Sequence, residues 1–127
     1  MKRPARVGES CEVSGRVEVS HTIHLDPSLP PVLSTPSLLG LLEGAAIDVL
    51  RPLLDLGEVS VGVQVDLEHL APTAVGRDVA CRARVIRSDG VTVGFQLEAW
   101  AGATRVARGF HQRRVIRAAA LARKLAS

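Results

Sequence analysis

The chain has 127 residues, 46% of them hydrophobic, and a formal net charge of +3 at pH 7. That length predicts one domain, residues 1–127, around one core, and the apolar content excludes a disordered chain. Aromatics are nearly absent (Phe95, Phe110, Trp100 and no Tyr), so Val, Leu, Ile and Ala must build the core, and stacking platforms for single-stranded nucleic acid are missing.

The N-terminus, MKRPARVGES, is basic and lacks the apolar stretch of a signal peptide, which points to a cytoplasmic protein. Ser10–Ser20 alternates, with Val13, Val17 and Val19 apolar, and predicts a first strand. The stretch HTIHLDPSLPPVL is rich in Pro and Ser and predicts a loop of about a dozen residues, long enough to point to a functional role. Pro36–Leu50 then predicts a central helix. Ser34 or Thr35 is its N-cap, and Pro36 stands at the first helical position, where a missing N–H costs nothing. The helix ends near Arg51–Pro52, and Leu53–Gly57 is a turn.

From there the period changes to two. Val59–Leu70, Asp78–Arg87, Val91–Trp100 and Ala103–Ile116 predict four strands. Ser88-Asp89-Gly90 and Ala101-Gly102 supply tight turns between the last three. Arg117–Ala126 predicts a helical surface tail. The fold class is therefore α+β. The central helix is apolar nearly all round and needs a cover. An antiparallel five-stranded sheet wrapped around it gives the hotdog architecture.

Three residues stand out for chemistry. Glu43 falls outside the polar side of the helix, which holds Gly40, Gly44, Asp48 and Arg51; its neighbours one turn away are Leu39, Ala46 and Ile47. A carboxylate there is costly unless it is paired, hydrogen-bonded or used. His69 shares a strand face with Val61, Val63, Val65 and Leu67, the face expected to meet the helix, and an imidazole is a natural proton shuttle. Thr35 lies at or beside the N-cap. It is either a plain capping residue or a group placed where free N–H groups and the helix dipole favour a developing negative charge.

These residues carry a family resemblance. The sequence resembles the hotdog-fold acyl-CoA thioesterases, and most closely the fluoroacetyl-CoA thioesterase group. In that group a Thr precedes the central helix and a Glu lies eight residues into it, here Thr35 and Glu43. A strand then carries a Gly and, seven residues on, a His, here Gly62 and His69. A Gly-x-His-x-Arg stretch on the last strand is here Gly109-Phe110-His111-Gln112-Arg113. The resemblance spans roughly residues 6–116. It implies that Thr35, Glu43 and His69 are catalytic, that Gly62 lends a backbone contact, and that Arg113 is structural or binds substrate. The best-known member of the group has Phe residues in the loop before the helix, which form a lid over the acyl group. Here His24–Leu33 has no Phe and offers Leu25, Leu29, Val32 and Leu33.

The expected activity is hydrolysis of an acyl-CoA thioester with a short or small acyl group. Glu43 and His69 would activate water directly or through Thr35, or an acyl-enzyme would form on Thr35 or Glu43. Arg77, Arg82, Arg84 and Arg87 are candidates for the CoA phosphates. No cofactor and no metal is implied. Cys11 and Cys81 lie far apart without clustered His, which gives zinc no support and makes free thiols the default. No apolar run reaches membrane length, and no nucleic-acid partner is expected. Exposed sheet edges and an uncovered helix side predict a homodimer, which the resemblance also implies, with active sites at the interface. Two rivals are a non-catalytic acyl-CoA binder and a hotdog enoyl-CoA hydratase. The latter pairs an Asp and a His close in sequence; His24 and Asp26 are close, but both sit in the loop before the helix.

Overall fold

The computed structural model describes residues 1–127. Strand β1 (Ser10–Arg16) is followed by a 3₁₀ turn and two short strands, β2 (Thr22–Ile23) and β3 (Val32–Leu33). Helix α1 (Thr35–Leu50) comes next, then β4 (Glu58–His69), β5 (Asp78–Asp89), β6 (Thr92–Ala101), β7 (Thr104–Arg117) and the terminal helix α2 (Ala118–Ala126). Five strands form one antiparallel sheet in the order β1-β5-β6-β7-β4. The sheet curls around α1, the hotdog arrangement expected from the order of elements. No helix is long and apolar enough to cross a membrane.

Local chemistry fixes the ends of α1. Ser34 is the N-cap, its Oγ accepting the Ser37 N–H at 3.3 Å. Thr35 is therefore the first helical residue and Pro36 the second, so the helix starts one residue earlier than the sequence pattern placed it. At the other end Arg51 N–H still reaches the Ile47 carbonyl, and Pro52, with no N–H to give, turns the chain into a 3₁₀ turn. The hairpins β5–β6 and β6–β7 close on Gly90 and Gly102, both at positive φ (63° and 57°), where a side chain would be strained.

The core is aliphatic, as the composition requires. Leu38, Leu42, Ala45, Ala46, Val49 and Leu50 of α1 meet Val79, Cys81, Ala83 and Val85 of β5 and Val93, Phe95, Leu97 and Ala99 of β6. Both cysteines are free, and burial pushes the Cys81 thiol up to about 12, so it is inert. The helix packs chiefly on β1 and β5. Its other flank, toward β4 and β7, is only partly covered, and Glu43 lies there.

The strand pattern needs three corrections. First, β1 stops at Arg16, and Val19–His21 is a 3₁₀ turn. Second, the predicted loop holds a two-rung ladder, β2–β3. Third, β4 carries a bulge between Gly62 and Gln64 that reverses the alternation. Ser60 and Gly62 face the helix before it, and Val65, Leu67 and His69 after it. Val61 and Val63 do not share the face of His69. Val61 pairs with Arg114 on the outer side, and Val63 is the extra residue of the bulge.

One strand crossing is unusually close. At the Leu67–Gly109 rung between β4 and β7, a Cβ on Gly109 would fall on the Asp66 carbonyl oxygen and stand 3.0 Å from Leu67 Cα. Both are backbone and cannot step aside. We expect Gly109→Ala to destabilise the fold by about 1–3 kcal/mol, as overpacked sites do. Its urea midpoint by circular dichroism checks this, and a midpoint equal to wild type would show that the strands separate without cost.

Candidate active site

The helix-facing ends of β4 and β7 hold a polar cluster built on Arg113. Its pairing partner in the sheet is Gly62, and the guanidinium lies buried against the underside of α1, 3% exposed. Nη1 donates to Glu43 Oε2 at 2.8 Å. Nε donates to Ser60 Oγ at 3.0 Å, and Nη2 to the Ser60 carbonyl at 2.8 Å. The guanidinium is thus bonded on every edge to groups of the same chain. Four of its five N–H groups point to Glu43, His111 and Ser60, and one N–H of Nη2 has no partner within the chain.

Glu43 sits at the edge of the apolar stripe, where it is paired and still reaches solvent. Its side chain is 42% exposed at the margin of the buried stripe, with one oxygen on Arg113. Gly62 is what lets it sit there. A Cβ at that position would stand 2.9 Å from Glu43 Oε2, 3.3 Å from His111 Cε1 and 3.4 Å from Arg113 Nη1. The contact of Gly62 within the chain is therefore steric room for the carboxylate.

His111 belongs to this cluster, and the sequence reading passed over it as a site residue. It is 1% exposed, one inward position before Arg113 on β7. Its Nε2 lies 3.2 Å from Arg113 Nη1, and its Nδ1 2.8 Å from the Gln64 carbonyl. An arginine can only donate, so Nε2 accepts and the proton sits on Nδ1, bonded to Gln64. Burial pushes the imidazole below its ordinary value of 6.5; the Gln64 carbonyl opposes this, and the Arg113 charge adds to it. Its 4.0 Å approach to Glu43 is accordingly a contact of a neutral ring, not an ion pair.

Thr35 and His69 form a second group. With Ser34 as the cap, the Thr35 hydroxyl is free of capping and lies 2.9 Å from His69 Nδ1. That is nucleophile–base spacing. The far ring nitrogen, Nε2, is buried with no partner. The pair stands in the wall of a cavity of about 250 Å³, lined otherwise by Ile23, Leu25, Val32, Leu33, Ser34, Leu70, Ala71 and Pro72. The lining is aliphatic, as the Phe-free loop foretold.

The structure thus brings the five expected residues into two groups: Thr35 with His69, and Glu43 with Gly62 and Arg113. No hydrogen bond joins them. Eight helical residues separate Thr35 from Glu43, a rise of about 12 Å along the axis. Of the arginines expected at the CoA phosphates, Arg82 and Arg84 point outward from β5 onto the convex face, and Arg87 pairs with Asp89 at 2.5 Å. Arg77 stands exposed in the turn leading into β5, at the same end of the sheet as His69. No group of three or more His, Cys, Asp or Glu side chains is arranged to hold a metal.

The lowered value at His111 has a consequence for stability. Its unfolded value lies above its folded one, so its contribution is fully present above about pH 6.5 and is lost as pH falls toward the folded value. We expect the urea midpoint to drop between about pH 7.5 and 5.5, and His111→Gln to flatten that slope. Parallel slopes for the two proteins would assign the loss to another group. Glu9, held at about 2 by Arg3, titrates too low to mimic it.

Comparison with known proteins agrees with this architecture. The profile of the fluoroacetyl-CoA-specific thioesterase family matches residues 17–119. The fluoroacetyl-CoA thioesterase of Streptantibioticus cattleyicolor is 31% identical over 123 residues, covering 91% of this chain and 88% of that one. Among solved structures, the fluoroacetyl-CoA thioesterase FlK superposes with a TM-score of 0.87 at 29% identity, over 94% of each chain. A hot-dog-like protein from Thermanaerovibrio acidaminovorans gives 0.86 at 30% identity, over 94% of this chain and 89% of that one. With the sheet order, the wrapped helix and a match over most of its length, the chain belongs to the fluoroacetyl-CoA-specific thioesterase family of hotdog proteins.

Proposed function

We propose that the protein is an acyl-CoA thioesterase, one domain over residues 1–127, that hydrolyses a small acyl-CoA to a carboxylic acid and free CoA. The observation that carries this is the Thr35–His69 hydrogen bond, 2.9 Å long, in the wall of an aliphatic cavity. The acyl group lies against Leu25, Val32, Leu33 and Leu70. The thioester carbonyl faces the first turn of α1, where free N–H groups and the helix dipole stabilise its oxyanion. His69 draws the proton from the Thr35 hydroxyl or from a water that Thr35 holds. Oxygen adds to the carbonyl carbon, the C–S bond breaks, and the thiolate leaves with a proton. An acyl-Thr35 intermediate and a directly attacking water both use this pair. Glu43 is the second base, and Arg113 positions it.

Thr35 and Glu43 are about 12 Å apart along one helix, too far to act on one carbonyl without help. A homodimer supplies it. β4 is an edge strand of 12 residues, with Val63 and Val65 45% and 42% exposed. Such an edge invites pairing. A twofold pairing of two β4 edges runs the strands in opposite directions. It carries the His69 end of one copy toward the Gly62–Glu43 end of the other, so each site draws Thr35 and His69 from one chain and Glu43 from its mate. The free thiols of Cys11 and Cys81 suit the reducing cytoplasm, where we place the enzyme.

Two measurements test this reading. Thiol release from a panel of acyl-CoAs should show turnover by the wild type, and Glu43→Gln should lower it about 10²–10⁴-fold while keeping the circular dichroism spectrum. Wild-type rates in Glu43→Gln would reduce Glu43 to a partner of Arg113. Light scattering at micromolar protein should give twice the 13.5 kDa chain mass. A monomer mass with full activity would sink the shared site.

A further inference from the structure

The cavity beside Thr35 and His69 is unevenly polar. Ser34, Thr35 and His69 are its polar members, and no Lys, Arg, Asp or Glu is among the ten residues that line it. Thr35 begins α1 and His69 ends β4. On one wall Val32 and Leu33 precede the polar pair, and on the other Leu70 and Ala71 follow His69. The cavity therefore has one polar end, where hydroxyl and imidazole meet, and is aliphatic beyond it.

Backbone bonds set both walls before any ligand arrives. Leu33 N–H donates to the Thr73 carbonyl at 2.9 Å, Ser34 N–H to the His21 carbonyl at 2.9 Å, and Leu70 N–H to the Val106 carbonyl at 2.7 Å. The rim differs from the walls. Leu33 is 1% exposed, but Ile23, Leu25 and Leu70 are 49%, 69% and 44% exposed. Three large aliphatic side chains around one opening gain from being covered. A single methyl, which is all that an acetyl group adds beyond its carbonyl, cannot cover three side chains.

Volume and charge narrow the ligand further. A dry apolar cavity of about 150 Å³ already takes the six carbons of benzene. This one is about 250 Å³. An acetyl group leaves most of it unfilled, and each gap forfeits dispersion contacts with the lining. An acyl chain ending in a carboxylate would bring that charge into a lining without a cation to meet it.

We propose that the cavity selects an uncharged aliphatic acyl chain of about four to six carbons, a specificity that rests on the thioesterase reading above. The carbonyl stays at the Thr35–His69 end. The chain runs past Leu33 and Val32 toward Ile23, Leu25 and Leu70, and covers the rim.

The test uses S-alkyl-CoA thioethers, which cannot be hydrolysed and so read binding alone. From S-ethyl- to S-hexyl-CoA the dissociation constant by calorimetry should fall about three- to four-fold per methylene and then level off. A thioether of hexyl length ending in a carboxylate should bind at least about ten-fold more weakly than S-hexyl-CoA. Leu25→Ala and Leu70→Ala should each reduce the gain per methylene. Leu25→Arg, at an exposed site, should narrow the carboxylate's disadvantage about three-fold. Equal affinity for S-ethyl- and S-hexyl-CoA overturns the proposal, as does a carboxylate-ended thioether that binds as tightly as S-hexyl-CoA. A steep series that neither Leu25→Ala nor Leu70→Ala changes puts the chain elsewhere and overturns it as well. Hydrolysis is read separately, as thiol release from acetyl-, butyryl- and hexanoyl-CoA. Length-dependent binding without thiol release removes the thioesterase reading and leaves the acyl pocket standing. Thiol release with a flat thioether series keeps the thioesterase reading and removes the proposed specificity.

Discussion

A guanidinium with 3% of its surface in contact with solvent must be bonded on every side, because an ion taken out of water loses several kcal/mol of hydration. Arg113 meets that demand with Ser60 of β4, Glu43 of α1 and His111 of its own strand. Each bond ties down something the site uses. Ser60 locks β7 to β4 ahead of the bulge. His111 is held neutral and in one tautomer. Glu43 is fixed by one oxygen while its side chain stays 42% exposed.

This arrangement follows from where the helix sits. α1 packs closely on β1 and β5, where Gly15 lets Leu41 approach to 3.3 Å of a would-be Cβ. The flank toward β4 is left wider, and polar groups fill it. An apolar filling would have covered the helix more cheaply, since burying an ion pair seldom adds stability over a hydrophobic replacement of similar volume. The cluster is therefore better explained by what it positions than by what it stabilises. The bulge at Gly62–Gln64 belongs to the same logic. It turns Ser60 and Gly62 inward at one end of β4 and His69 inward at the other, which a regular strand would not do.

The order of elements and the site residues were legible in the sequence for different reasons. Strand and helix periods, with Gly90 and Gly102 as punctuation, are local properties, and they led to the hotdog wrap. Glu43 and His69 stood out by the faces they occupy and Thr35 by its place at the helix start, whereas Gly62 and Arg113 came only from the family resemblance. What could not be read was the bulge. Nothing in VGVQV marks the slip except one glycine, so Val61 and Val63 were assigned to the wrong face. His111 had a signal that went unused. Ala107, Gly109, His111, Arg113 and Val115 alternate inward on β7, and two polar residues at successive inward positions of a strand need each other or a third partner. The Thr35 cap was ambiguous because Ser34 and Thr35 are equally good N-caps, and only the extended backbone at Ser34 decides between them.

The two buried-side histidines then divide the work by environment. His111 has both ring nitrogens committed, and burial beside a fixed cation keeps it neutral. A ring in that state cannot cycle a proton without breaking the Arg113 contact that holds Glu43, so it is a poor acid–base group and a good spacer. His69 has the opposite situation. One nitrogen meets a hydroxyl and the other has no partner, at the rim of an aliphatic cavity. On the proposed reading, proton transfer begins at the Thr35 end of the helix, and Glu43, two turns away, is the second base, held in place by Arg113. A single chain keeps these ends about 12 Å apart along the helix, which is why the shared site proposed above calls on a second copy.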